Sequence, residues 1–423
     1  MEKVKYLIIG GGISGLSFAR NISNESYLII EKETSLGGLC RTHYNGEYVW
    51  DYAGHFFHFS NPRIKAFFDS RINDSELVTR VKNTKIYYKG RYVNFPFQKN
   101  IHQLPQNEFI DCLYDLFFKE KYADFGDFEE MLYAKFGRSI TEKFLKPYNE
   151  KLYACSLKKL DVNSMGRFFP YADIEDIIRN MKEANNSSYN TTFDYPKRGA
   201  QLFIDALSAD INMEYVWLNA DVNAIDVKSH SVKIGDREVI YDYLINTIPF
   251  NHLLKLCSIQ DKEQVLSSNQ VLVFNIGFDS ALNETECHWI YYPSKEFVFY
   301  RVGFYNNILQ SKNGSIYVEI GYDKEKMFSD ASVQDIFDKT IVDLKKCGII
   351  SSQKIVAYES LLINPGYVHI TDKSTSWVNR VSEELGEKGH IYSIGRYGVW
   401  TYCSMEDCII QADNLYNELK DKR

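Results

Sequence analysis

The stretch Val4-Lys5-Tyr6-Leu7-Ile8-Ile9-Gly10-Gly11-Gly12-Ile13-Ser14-Gly15 decides the fold. Residues 4–9 are a short, largely apolar run, as expected of a parallel strand buried on both faces. Residues 10–15 fit GxGxxG, and residues 16–22 read as a helix. A second apolar run, 27–30, ends in Glu31, about twenty residues past the first glycine. Strand, glycine turn, helix, strand and acid in this order form the dinucleotide-binding fingerprint. Gly10 permits the tight turn, Gly12 lets the backbone approach a pyrophosphate, and Gly15 lets helix and strand pack closely. The helix N-terminus offers free N–H groups to phosphates, and Glu31 is expected to accept hydrogen bonds from an adenosine ribose.

A second glycine turn follows, Gly37-Gly38-Leu39-Cys40-Arg41-Thr42, and places a fixed cation near a phosphate or a flavin edge. At ~150 residues per domain, 423 residues suggest about three compact units. A composition 45% hydrophobic and 25% charged is that of a soluble globular protein. The net charge of −7 disfavours nonspecific nucleic-acid binding but leaves room for an anionic ligand held by a few arginines. The 31 tyrosines and 27 phenylalanines can line a pocket for a planar or phosphorylated ligand. Eight cysteines show no CxxC pair and no cysteine–histidine cluster, so neither a metal site nor a redox dithiol is expected, only free thiols. No apolar run approaches the ~18 residues of a membrane span. Residues 6–9 run straight into glycine, unlike a secretory signal, and a cytoplasmic location is expected.

Residues 84–88 and 91–95 read as a hairpin. From 104 to 179 the spacing is mostly helical, with Phe109, Cys112, Leu113, Leu116 and Phe117 expected on one face. Residues 185–188 are a polar loop, 200–207 a helix, and 214–248 alternating strands. The runs 270–278, 289–292, 297–304 and 315–322 read as a meander, joined by 354–362. A strand at 390–395 precedes an amphipathic helix at 404–420. The expected fold class is α/β: a discontinuous Rossmann-like nucleotide-binding domain (1–90, 191–265, 386–423) with a helical insertion (91–190) and an antiparallel sheet-rich substrate domain (266–385).

Several separated segments carry a family resemblance. They are Asp51-Tyr52-Ala53-Gly54-His55-Phe56-Phe57-His58, Phe95-Pro96-Phe97-Gln98-Lys99-Asn100-Ile101 and Lys146-Pro147-Tyr148-Asn149-Glu150-Lys151-Leu152-Tyr153. Further along come residues 190–199, then His288-Trp289-Ile290-Tyr291-Tyr292-Pro293 with Arg301, and Gly395-Arg396-Tyr397-Gly398-Val399-Trp400-Thr401-Tyr402. Together with the two glycine turns they resemble, in order, the UDP-galactopyranose mutase family, within the wider FAD superfamily of amine and protoporphyrinogen oxidases. Three positions depart from that pattern. His58 stands where phenylalanine is usual, Arg167 is one position from the expected arginine, and no proline follows Tyr367.

The resemblance implies FAD as cofactor, held by Gly10, Gly12, Ser14, Gly15, Glu31, Gly38, Leu39, Arg41, His55, Val222, Gly395, Arg396 and Met405. It implies a nucleotide-diphospho sugar, UDP-linked by analogy, bound by Phe95, Phe97, Gln98, Asn149, Tyr153, Arg167, Asn190, Trp289, Tyr291, Arg301, Tyr367 and Tyr402. His55 and Arg301 would assist catalysis, with His55 positioning reactive atoms rather than transferring protons. In that family reduced FAD, supplied with electrons by NAD(P)H, uses N5 as nucleophile at the anomeric carbon. The sugar ring opens on the flavin–sugar adduct and recloses as pyranose or furanose without net redox. That implies a place in surface polysaccharide biosynthesis. The dipole of the last helix would stabilise negative charge on the reduced flavin. Taken without the family, Arg301 needs a buried partner, either a diphosphate or an internal carboxylate. An FAD-dependent amine or protoporphyrinogen oxidase is the alternative, and a non-catalytic FAD-bound scaffold a third reading.

Overall fold

The computed structural model describes residues 2–119, 124–184 and 191–421. Asn190 and the polar loop at 185–188 lie outside the described residues.

The first strand, Glu2–Ile9, becomes almost wholly buried toward its C-terminal end. It pairs in parallel with Tyr27–Ile30 on one side and Arg237–Asn246 on the other. Ile391–Ser393 joins the far end of Arg237–Asn246 in parallel, and Val216–Trp217 extends the opposite edge. An antiparallel pair, Val222–Asp226 and Ser231–Ile234, completes the seven-stranded sheet. Its strands come from three separated parts of the chain, as the expected discontinuous α/β class requires. Ile9, Ile30, Asn246 and Ser393 end at one edge, where an open parallel sheet places its ligand.

Helix Ile13–Asn21 follows Gly10, whose φ of 103° suits glycine. Its N-cap, Gly12, has no side chain to satisfy the first N–H groups. The helix packs with Met405–Asp421 around Tyr6, Phe18, Phe203, Ile409 and Leu419, all fully or almost fully buried. Each such side chain contributes about 1.5–3 kcal/mol by leaving water.

The second sheet has the order Ile355–Ile363, Asn269–Phe278, Ser315–Asp323, Arg301–Phe304, Trp289–Tyr291, Thr84–Tyr88, Arg91–Asn94. A simple meander is therefore not what forms. Asn269–Phe278 skips two strands to lie between Ser315–Asp323 and Ile355–Ile363, and Trp289–Tyr291 runs parallel to Thr84–Tyr88. The expected strand at 297–304 begins only at Arg301. The Lys151 ammonium turns the carbonyls of Tyr292, Ser294 and Phe297 toward itself, at 2.8, 2.9 and 3.0 Å, together with that of Phe299. The hairpin Thr84–Tyr88/Arg91–Asn94 spans the boundary expected at residue 90, and both its strands belong to this sheet.

The helical stretch resolves into Gln106–Phe117, Phe128–Ile140, Lys146–Tyr153 and Ile174–Lys182, the second and third joined without a break by the π-helical segment Thr141–Leu145. Cys112 and Leu116 are buried, but Phe117 is exposed. One residue beyond Leu116 is about 100° around the helix, which carries Phe117 off the packed face.

Candidate active site

The edge of the first sheet, the second sheet and the helical segment enclose one cleft of about 1070 Å³. At its nucleotide end, a Cβ added to Gly15 would lie 2.1 Å from the Gly10 carbonyl oxygen, so Gly15 serves the helix–strand contact. A Cβ at Gly12 would meet nothing nearer than the Gly38 Cα at 3.8 Å, which leaves the turn open for a phosphate. Glu31 accepts from the Gly11 N–H at 2.7 Å and the Glu33 N–H at 2.9 Å while lining the cleft. Arg41 is held by the Gly38 carbonyl (2.9 Å), Glu33 (3.2 Å) and the Tyr52 hydroxyl (2.6 Å). Ser14, Gly38, Leu39, Val222 and Met405 line the same end. Gly395 lies just behind Ser14; its φ is 85°, and a Cβ there would meet the Ser14 Oγ at 2.3 Å.

The opposite wall is aromatic and cationic. Tyr291 accepts the Trp289 indole N–H at 2.8 Å, and Trp289 stacks on Phe56 with ring centres 5.1 Å apart. Tyr367 and Tyr402 stack at 5.8 Å, and the Arg396 guanidinium lies 4.4 Å from the Tyr402 ring centre. Burial raises the Tyr291 and Tyr367 hydroxyls above their ordinary value, so both remain protonated donors at neutral pH. Arg301 has its carboxylate: Nε and Nη2 reach Glu319 at 2.6–2.9 Å, and Nη1 has no hydrogen-bond partner among the described residues. Arg301 nonetheless lines the cleft, so both partners weighed from the sequence have access to it.

His55 sits between these walls. Its Nδ1 lies 3.1 Å from the Ala53 carbonyl, which accepts from the Nδ1–H tautomer and leaves Nε2 as an acceptor. Burial pushes the imidazole down to about 4, with Arg396 and Arg301 adding to the effect. It is therefore neutral at physiological pH. Two buried polar atoms on cleft-lining residues have no hydrogen-bond partner among the described residues, Arg396 Nε and Asn149 Oδ1. A buried unpaired donor and acceptor are costly unless a ligand completes them.

Phe95, Asn149, Arg167, Trp289, Tyr291, Arg301, Tyr367 and Tyr402 all reach the cleft. Phe97, Gln98 and Tyr153 do not. Phe97 stacks on Phe144 inside the core, Gln98 is fully buried and donates to the Pro170 carbonyl, and Tyr153 lies behind Tyr367. Residues 97–99 form a 3-10 turn, and that turn points Phe97 and Gln98 inward behind Phe95 while Lys99 stays on the cleft. His58 contacts the Thr192 carbonyl at 3.0 Å and borders a smaller pocket, away from the main cleft. Arg167 is pinned to Asp407 at 2.7 and 2.9 Å.

Sequence reasoning missed Glu319, Lys82 and Tyr148, which also line the cleft. Glu319 carried a signal, an acid at the middle of the largely apolar strand Ser315–Asp323. Lys82 lies 5.3 Å from the Phe95 ring centre, and burial lowers its ammonium to about 8.

A model of the NAD(P)-binding Rossmann-like domain matches residues 8–71. The chain is similar to a solved structure of reduced UDP-galactopyranose mutase, 23% identical with a TM-score of 0.91, over 100% of this chain and 95% of that one. It is also similar to a protein from Exiguobacterium sp. assigned as a protoporphyrinogen oxidase, 16% identical with a TM-score of 0.78, over 100% and 99%. A CLA-producing fatty acid isomerase from P. acnes is 13% identical with a TM-score of 0.67, over 98% of each chain. At these identities the likeness establishes the fold, in agreement with the motif resemblance. A shared fold does not choose among such reactions; the site must.

Proposed function

We propose that this chain is a flavin-dependent mutase that interconverts the pyranose and furanose forms of a nucleotide-diphospho sugar. The observation that carries this reading is one continuous cleft. In it the two glycine turns and Glu31 face Tyr291, Arg301, Tyr367, Arg396 and Tyr402. An oxidase of amines or porphyrinogens has no evident use for that phosphate-binding set.

The residues present fit FAD. The open cradle at Gly12 and the unsatisfied helix start suit a pyrophosphate, and Glu31 keeps lone pairs toward the cleft for a ribose diol. The orphaned Arg396 Nε offers a donor to the cofactor or to the diphosphate. When bound and reduced, with NAD(P)H as the implied reductant, FAD would supply the nucleophile for the anomeric carbon.

The protein's own groups do the rest. Tyr291 and Tyr367 donate O–H to the departing diphosphate without adding charge. Glu319 balances Arg301 and Asp407 balances Arg167, so the cationic field falls chiefly to Arg396. Such fixed donors stabilise charge as it develops. Neutral His55 orients a hydroxyl or ring nitrogen through Nε2. Asn149 Oδ1 awaits a donor, which uracil N3–H or a ribose hydroxyl would provide. Trp289, Phe95 and Tyr148 wall the sugar from water.

The test compares oxidised and dithionite-reduced protein with UDP-galactofuranose and a panel of related nucleotide sugars. Ring isomerisation only in the reduced form is expected. Inactivity of both forms across the panel removes the reading. Oxidase chemistry, favoured by the likeness to the Exiguobacterium protein, would instead release peroxide or reduce an acceptor with net substrate oxidation.

A further inference from the structure

The eight cysteines have no dithiol spacing in sequence, yet folding brings two of them together at the mouth of the last helix. Cys403 Sγ and Cys408 Sγ lie 3.7 Å apart. Both are buried from bulk solvent, and both line the cleft. A third, Cys40 in the second glycine turn, also lines it, with its sulfur 3.5 Å from that of Met405. The sulfur pair thus stands among the elements assigned above to FAD, beside Ser14 and Arg396.

Cys408 occupies the first turn of Met405–Asp421, where the positive end of the helix dipole favours a thiolate. The hydrogen bond from Cys403 holds the Cys408 thiol below its ordinary value, aided by the Ser14 hydroxyl and Arg396. Cysteines packed in the core behave oppositely: burial pushes Cys112 and Cys287 up to about 12. A disulfide needs sulfurs about 2.0 Å apart, so each would move by about 0.8 Å.

We propose that Cys403 and Cys408 form a redox-active dithiol that delivers electrons to the cofactor of this cleft. This rests on the FAD part of the function proposed above. The two S–H bonds break and one S–S bond forms, releasing two electrons and two protons. Both electrons and at least one proton are taken up by oxidised flavin; any remaining proton leaves to solvent. An external dithiol of the dithiothreitol or thioredoxin class then restores both thiols by exchange and is itself converted to a disulfide. The net change is oxidation of the external dithiol and reduction of the flavin. The pair is a route of entry beside NAD(P)H.

The test uses anaerobic FAD-loaded protein and the variants Cys403→Ser, Cys408→Ser and, as a control remote from the cleft, Cys155→Ser. Dithiothreitol should bleach the flavin of the wild type and of the control at least ten-fold faster than that of the two serine variants. Dithionite should bleach all four alike, which shows intact flavin sites. Independently of flavin, cofactor-free wild type oxidised with glutathione disulfide should lose two of its eight free thiols and yield a peptide linked through 403 and 408. Equal dithiothreitol rates in all four proteins, or eight thiols surviving oxidation with no linked peptide, overturn the proposal while leaving the mutase reading in place. A protein that takes up no flavin shows no flavin spectrum, and that result defeats the mutase reading and this one together.

Discussion

Arg301 and Glu319 face each other across neighbouring antiparallel strands, with Nη2 at 2.6 and 2.7 Å from the two carboxylate oxygens. Glu319 also accepts the Tyr300 hydroxyl at 2.6 Å and is almost wholly buried. The cleft wall is therefore built on a charge pair with a hydroxyl tether. Removing the acid leaves a buried guanidinium unpaired, which costs about 3–5 kcal/mol. Glu319→Ala should lower the denaturant midpoint accordingly, and Glu319→Gln should lose less because its amide oxygen still accepts. An unchanged midpoint for the alanine variant would contradict the pairing.

His55 should make stability fall in acid. Its folded value of about 4 lies below the ordinary 6.5, so as pH drops the unfolded chain takes up the proton first. Its contribution is intact above about pH 6.5 and is progressively lost toward pH 4. Urea midpoints of His55→Gln at pH 7, 5.5 and 4.5 should decline less steeply than those of the wild type. Parallel declines would mean that His55 is not held neutral.

The contact between Arg167 and Asp407 is half exposed, and such pairs contribute under about 1 kcal/mol. Asp407→Asn should leave the melting temperature nearly unchanged. Amide hydrogen exchange at 166–169 should nevertheless accelerate severalfold, because the tie of that turn to the last helix loses its charge. Unaltered exchange would show that other contacts hold the turn.

Gln98 and Asn149 should separate cleanly. Gln98→Ala removes a buried bond to the Pro170 carbonyl and should cost about 1–3 kcal/mol of stability, with little direct effect on nucleotide affinity. Asn149→Ala should weaken nucleotide binding, measured by calorimetry, at least ten-fold, since Asn149 lines the cleft and its buried Oδ1 has no partner among the described residues. The reverse pattern would place Gln98 in the site after all.

Gly12→Val tests the phosphate cradle. The space beyond its Cα is open, so the cofactor-free protein should fold normally, but the side chain would occupy the phosphate position. Purified variant should carry no flavin absorbance at an unchanged apo melting temperature. Full flavin retention would refute the cradle.

The nucleotide-binding half was legible because its information is local. A turn that needs φ of 103° at Gly10, a helix start bare of side chains and an acid ending the next strand all sit within thirty residues. The aromatic segments were legible as residue types, but spacing alone could not say which side chains reach the cleft. Phe95 does; Phe97 and Gln98, two and three residues later, turn into the core because a 3-10 turn follows Pro96.

The amino-acid sequence by itself determined the α/β class and the glycine turns, because short-range backbone geometry writes itself as fixed residue spacings, whereas the aromatic and cationic residues of the cleft were named only through the family resemblance. Tertiary structure alone decided that Arg301 meets Glu319, that Lys82 borders the cleft and that Cys403 approaches Cys408. Strand register and the packing of the last helix bring those groups together, and such contacts leave no periodic trace along the chain.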